Sequence, residues 1–252
     1  MQENLQSRIL HLPASMPSET TPLSADVYAI RGDAAWWIFD VGASDEAVDF
    51  INSLPWGDVM PGTAQHSHQG VAPLKKNIVI SHFHRDHFFN LSRVHFDNLY
   101  VGRETYRHCD ESIRSCSDVT IVESPLQFED GLRIRIELIP SSHAKGSLML
   151  TVGDITARDA NATARDVLDG IGETEIAFLG DSTYPTVNHR GLDFYNVQLL
   201  YRQIQFLRGC SAQRFVMSHR RFALREKESV LQMLEGYYNR RQPNKNLIEV
   251  TR

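Results

Sequence analysis

The most constraining feature of this chain is a short apolar run, Asn77-Ile78-Val79-Ile80, that leads at once into His82-Phe83-His84-Arg85-Asp86-His87. A run of this kind, ending in a polar, histidine-rich segment, reads as a buried strand that delivers a functional loop at its end. Side chains alternate in direction along extended backbone. Residues 82, 84 and 86 can therefore face the same way, and His82 and His84 can approach one cation together. A helix beginning near Asp86 would put Asp86 and His87 on its first turn. Imidazole and carboxylate donors together suit zinc, iron or manganese better than magnesium or calcium. With 11 His and 17 Asp among 252 residues, an HxHxDH pattern arises by chance at a rate on the order of one in a thousand chains.

Four donors leave a two-metal site incomplete; two further histidines and one bridging carboxylate would finish it. Three downstream residues stand at the ends of apolar runs: His143 after Leu138-Ile139-Pro140, Asp181 after Ile176-Ala177-Phe178-Leu179-Gly180, and His219 after Phe215-Val216-Met217-Ser218. His66-Ser67-His68 is another HxH, but it lies in a Pro- and Gly-rich stretch with no apolar run before it and no Asp-His after it. His11, His95, His108 and His189 lack any such context and are expected to be structural or solvent-facing.

The surrounding pattern alternates strands with a few helices. Val27–Ile30 and Ala35–Phe39 read as strands joined by a turn at Arg31-Gly32-Asp33. Residues 45–54 begin with acids and carry apolar side chains at helical spacing. Further strands are expected at 98–101, 119–122, 132–139, 147–152, 175–179 and 214–217, and helices at 194–208 and 225–240. Residues 55–73 read as a surface loop, and 154–174 as a polar excursion from the sheet. There is no internal repeat or low-complexity linker, and 252 residues suit one domain spanning 1–252. A net charge of -5 gives no global attraction to nucleic acid or to anionic membrane. No apolar run approaches the ~18 residues of a membrane span, and the first residues lack the apolar stretch of a secretory signal. Cys109, Cys116 and Cys210 form no CxxC pair and read as free thiols. The expectation is a soluble, cytoplasmic protein.

Taken in order, Asp40-Val41-Gly42, the HxHxDH of His82 to His87, His143 with Gly146, Gly180-Asp181 and His219 resemble the motif series of the metallo-β-lactamase superfamily. The resemblance spans residues 27–219 and implies an α/β fold, a four-layer αββα sandwich. It implies that His82, His84 and His143 hold one metal ion, that Asp86, His87 and His219 hold a second, and that Asp181 bridges them. Asp40 is implied not to ligate metal but to steady the motif loop through hydrogen bonds. The pattern departs from many members after His219, where Arg220-Arg221 stand in place of glycine.

Such a site implies two divalent ions, foremost Zn2+ with iron or manganese fitting the same donors, ~3.5–4 Å apart and activating a bridging water as nucleophile. The expected reaction is hydrolysis of a small-molecule ester, thioester or lactone, with Asp86 and Tyr184 as catalytic candidates. Tyr184, three residues after Asp181, resembles in position a substrate-contacting tyrosine of the N-acyl-homoserine lactonases. Arg85, Lys145 and Arg220, with Arg221, form a basic rim that would favour an anionic substrate. Only about thirty residues follow His219, fewer than the helical substrate domain of glyoxalase II-like enzymes, and the long insertion of the mRNA-processing nucleases is missing. Two other chemistries compete on the same fold. A phosphodiesterase or nuclease is favoured by the basic rim and opposed by the acidic total charge. A mononuclear-iron oxidoreductase like the persulfide dioxygenases would use mainly His82, His84 and His143. A homodimer is the assembly that the superfamily suggests.

Overall fold

A strand buried on both faces carries apolar residues at every position, and Ala35-Trp36-Trp37-Ile38-Phe39 does so. In the computed structural model, which describes residues 5–19, 22–55, 73–155, 175–187, 191–219 and 223–250, this segment is an inner strand of a six-stranded sheet. The sheet runs in the order β1 (Ile9–Leu12), β2 (Val27–Arg31), β3 (Ala35–Phe39), β4 (Lys75–Val79), β5 (Asn98–Val101), β6 (Val119–Ile121). Strands β1 to β3 are antiparallel neighbours, and β3 to β6 run parallel. A second six-stranded sheet is ordered β14 (Arg225–Glu226), β13 (Arg214–Val216), β10 (Ile176–Phe178), β9 (Leu148–Asp154), β8 (Leu132–Leu138), β7 (Leu126–Glu129).

The two-residue alternation of each strand sorts its side chains between two cores. Tyr28, Ile30, Trp37, Phe39, Val79 and Tyr100 of the first sheet meet Ile134, Ile136, Leu150, Val152, Phe178 and Val216 of the second in the centre of the sandwich. The other face of the first sheet (Val27, Ala29, Trp36, Ile38, Ile78 and Leu99) packs under α1 (Asp45–Asn52) and the short helices α2 (Arg85–Phe88), α3 (Arg103–His108) and α4 (Glu111–Arg114). The other face of the second sheet (Met149, Ala177 and Phe215) is covered by α5 (Val197–Gly209) and α6 (Lys227–Tyr238). The layers are therefore αββα, as the motif order implies.

The helices begin where local chemistry allows. Ser44 caps α1 by accepting from the Ala47 amide, and Asp45 and Glu46 occupy its first turn. Asn196 caps α5 by accepting from the amides of Gln198 and Leu199, so the helix expected from 194 starts at Val197. The residues before it form β12 (Asp193–Asn196), which pairs with β11 (Thr186–Val187) and β15 (Leu247–Val250) in a small third sheet. Likewise Arg225 and Glu226 pair as β14 with β13, and the last long helix begins at Lys227. Such short edge strands have too few residues to show a period of two. The expected loop at 55–73 and the excursion at 154–174 fall mostly outside the described residues, as do His66, His68, His189, Arg220 and Arg221. No helix among the described residues is long and apolar enough to cross a membrane.

Candidate metal centre

Strands β3, β4, β10 and β13 end at one rim of the sandwich, and β8 ends there too because it is antiparallel to β9, which is antiparallel to β10. Polar loops at the carboxyl ends of such strands are where an α/β sheet can present chemistry without breaking its core. Asp40 follows β3, the His82–His87 segment follows β4, His143 follows β8, Asp181 follows β10 and His219 follows β13. One contact stitches the two sheets together at this rim, the Leu148 amide donating to the Ser81 carbonyl at 2.7 Å, and a second extends the pairing of β10 with β13, the Ser218 amide donating to the Gly180 carbonyl at 3.1 Å. Gly180 has φ +54, and a Cβ there would lie 2.7 Å from the Ser81 Cβ. Only glycine permits that approach.

All seven expected ligands converge as two groups, His82 with His84 and His143, and Asp86 with His87, Asp181 and His219. In the first, His84 Nδ1 lies 2.9 Å from His143 Nε2. In the second, Asp86 Oδ2 lies 3.2 Å from His219 Nε2 and 3.5 Å from His87 Nε2, while Asp181 Oδ2 lies 3.4 Å from His87 Nε2 and 3.5 Å from His219 Nε2. A tetrahedral ion with ligands at ~2.0–2.1 Å spaces its donors by about 3.3–3.4 Å. The same Asp181 oxygen is 3.6 Å from His143 Nε2, so this carboxylate stands between the groups, where a bridge would have to be.

The donors are also aimed. His87 Nδ1 meets Asp40 Oδ2 at 2.7 Å, His82 Nδ1 meets Ser81 Oγ at 2.9 Å, and His143 Nδ1 meets the Pro185 carbonyl at 3.0 Å. Each acceptor fixes the proton on Nδ1 and turns the Nε2 lone pair into the site. His82 Nε2, His87 Nε2 and Asp181 Oδ1 are buried without a hydrogen-bond partner. Orphaned acceptor atoms are costly in a protein interior unless something else satisfies them. The residues present thus fit a pair of divalent ions.

Asp40 lies behind His87. The fully buried carboxylate accepts from the Ser81 amide (2.7 Å), the Ser81 hydroxyl (2.8 Å) and His87. The turn behind it is held by Val41 and Gly42 amides donating to the His87 carbonyl. Gly42 has φ +63, and a Cβ there would come within 2.5 Å of Ser24 Oγ.

Electrostatics separates the two groups. Burial, with His87 adding, holds the His82 ring well below the ordinary imidazole range, and burial with His143 and His87 lowers His84 to about 4. Burial also opposes charge on His87 and His219, but there carboxylates win. Asp40 and Asp181 hold His87 well above the ordinary range, and Asp181 and Asp86 raise His219 to about 9. His82 and His84 are thus held as neutral donors, while the second group is built around two anions.

The expected substrate contacts fare differently. Lys145 is exposed and its ammonium pairs with Glu104 at 3.2 Å. The Arg85 guanidinium lies 4.2 Å over the Phe89 ring and lines a cavity of about 450 Å³ with Phe83, Phe88 and His108. None of the seven ligand candidates lines that cavity. The Tyr184 hydroxyl, expected at the substrate, donates to the Ser218 carbonyl at 2.6 Å. Arg220 lies outside the described residues.

Several residues at the site escape sequence reasoning. Ser81 links two histidines to Asp40. Ser141 Oγ and Gln203 Nε2 both donate to the Ser182 carbonyl, fastening the Asp181 turn from two elements. Asp26 receives the His219 amide. Ser81 could have been suspected from its place between strand and motif; the others have no local signature.

No family model matches the sequence, and no curated protein matches it. Solved structures do resemble this one. A B3 metallo-β-lactamase with an active-site glutamic acid is 11% identical over 84% of this chain and 82% of its own, with a TM-score of 0.53. An archaeal metallo-β-lactamase superfamily protein from Sulfolobus tokodaii is 16% identical over 94% and 90%, with a TM-score of 0.52. A flavo di-iron protein variant from Thermotoga maritima is 13% identical over 85% of this chain and 52% of its own, with a TM-score of 0.53. The fold of this chain is that of the metallo-β-lactamase superfamily.

Proposed function

We propose that the protein is a metal-dependent hydrolase acting on a small-molecule ester, thioester or lactone through two divalent ions, zinc being the first choice. The observation that carries this reading is the pair of donor groups with the Asp181 carboxylate between them. Two ions held there would supply Lewis acidity and lower the pKa of a water between them to near neutrality. The chain's own part is to aim and hold. Ser81, Asp40 and the Pro185 carbonyl keep three imidazoles in one tautomer, and Asp181 spans both groups. Tetrahedrally spaced nitrogen and carboxylate donors favour zinc, and the same set also accepts iron or manganese. The three cysteines are free, which agrees with the cytoplasmic setting we assign.

A hydrolase is favoured over the mononuclear-iron oxidoreductase because the second group is as well formed as the first. A small neutral or weakly charged substrate is favoured over a phosphodiester because Lys145 is paired with Glu104 and Arg85 stacks on Phe89. The test is a panel of lactone, thioester and phosphodiester substrates assayed with zinc, manganese and iron, with oxygen uptake followed alongside. Hydrolysis of a carboxylic ester class by protein carrying about two metals per chain is expected. Oxygen consumption by protein carrying a single iron would overturn the reading.

A further inference from the structure

His219 is a residue with a Cβ held at φ +60, a left-handed conformation that such residues adopt only when their surroundings impose it. The restraint is visible in the peptide unit that joins Ser218 to His219. Its carbonyl accepts from the Tyr184 hydroxyl at 2.6 Å, and its N–H donates to Asp26 Oδ2 at 2.5 Å. The C=O and N–H of a trans peptide point in opposite directions, so the two side chains grip this unit from its two ends. Rotating the unit to relieve φ at His219 would break both bonds at once.

Each grip is itself anchored. Asp26 is fully buried, and its other oxygen accepts from the Ala14 amide at 3.2 Å and contacts His11 Nε2 at 2.6 Å. The His11 ring in turn stacks on Tyr28 with centroids 4.7 Å apart. Tyr184 is tied to the bridging carboxylate's own turn, its amide donating to the Asp181 carbonyl at 2.9 Å. The clamp thus joins three segments far apart in sequence: the start of β2, the turn after β10 and the loop after β13.

We propose that Asp26 and Tyr184 are positioning residues that lock the Ser218–His219 peptide and so present the His219 ring to Asp86 and Asp181. Tyr184 acts on the centre through this peptide, not on the substrate. The inference rests on reading the two donor groups as a metal site. It concerns the second group first, because the peptide that the clamp holds carries His219.

The test uses the full chain and zinc alone, titrated against a chromophoric chelator, with cobalt(II) absorption as a second readout. Wild type is expected to take up two equivalents. Tyr184→Phe, which keeps the ring, is expected to weaken the second equivalent about tenfold and alter its cobalt spectrum, with the first equivalent unchanged. Asp26→Ala should do the same, and Asp26→Asn, which keeps an oxygen for the His219 amide, should recover most of the loss. The double variant Tyr184→Phe/Asp26→Ala should lose less than the product of the single losses, since either change already frees the peptide. Wild-type affinity and an unaltered cobalt spectrum in a folded Tyr184→Phe would overturn the clamp; a raised KM in that variant would then move Tyr184 to the substrate. Failure of the wild type to bind a second equivalent would overturn the two-metal reading as well.

Discussion

Replacing Asp40 by asparagine changes one atom at the base of the site. In Asp40→Asn the side chain would retain Oδ1 as acceptor for the Ser81 amide, but it would put an NH2 group where Oδ2 now accepts from the Ser81 hydroxyl and from His87 Nδ1. The Ser81 hydroxyl can rotate. His87 Nδ1 cannot keep its proton against another donor, so the ring must carry its proton on Nε2, the atom 3.4 Å from Asp181 and 3.5 Å from Asp86. A cation entering the second group must then displace that proton without the charge-assisted bond that favoured the other tautomer, a loss of ~1.5–3 kcal/mol. That corresponds to a roughly 10–100-fold loss of affinity. The assay is competitive zinc titration of the metal-free variant, resolving the two equivalents. The second should weaken by that factor and the first by less, because Asp40 bonds His87 directly but reaches the first group only through Ser81 and His82. If a folded Asp40→Asn binds both equivalents as the wild type does, the tautomer argument is wrong.

The two groups should also part with pH. His219 is raised to about 9, so its ring carries a second proton at neutral pH in metal-free protein, whereas His84, lowered to about 4, does not. Lowering the pH from about 8 to about 6 should weaken the second zinc by about tenfold per unit for each proton displaced, more steeply than the first; a parallel decline of both would count against this electrostatic division. Gly180→Ala forces a Cβ to within 2.7 Å of the Ser81 Cβ at φ +54 and should destabilise the fold by ~2–4 kcal/mol. Thermal unfolding would register this as a drop of about 5–15 °C; an unchanged midpoint would refute it. Phe178→Ala empties a fully buried position between the sheets and should cost ~3–5 kcal/mol in denaturant unfolding. Lys145→Ala removes an exposed side chain paired with Glu104 and should leave KM for an anionic substrate within about twofold; a large rise would restore Lys145 to the substrate.

The seven ligand candidates were legible in the sequence because each follows an apolar run, and a buried strand can release a polar side chain only where it ends. Their convergence follows from strand direction: β4, β10 and β13 all point their carboxyl ends to one rim. The αββα layering was legible for a similar reason, since Ala35–Phe39 and Ile176–Phe178 are apolar on both faces and need cover on both sides. The His82-to-His87 segment points to a metal site by residue type and spacing alone.

What holds those ligands in place was decided only by the tertiary structure. Asp26 and the His219 amide are 193 positions apart, and no periodicity or spacing links them. Tyr184, Lys145 and Arg85 were placed near ligands by sequence proximity, but side-chain direction is set by packing: the tyrosine turns to a backbone carbonyl, the lysine to Glu104, and the arginine onto Phe89. Ligand identity is a property of residue type and strand end, which one chain can display along its length. Ligand aim depends on hydrogen bonds between loops that meet only once both sheets have closed on their common core.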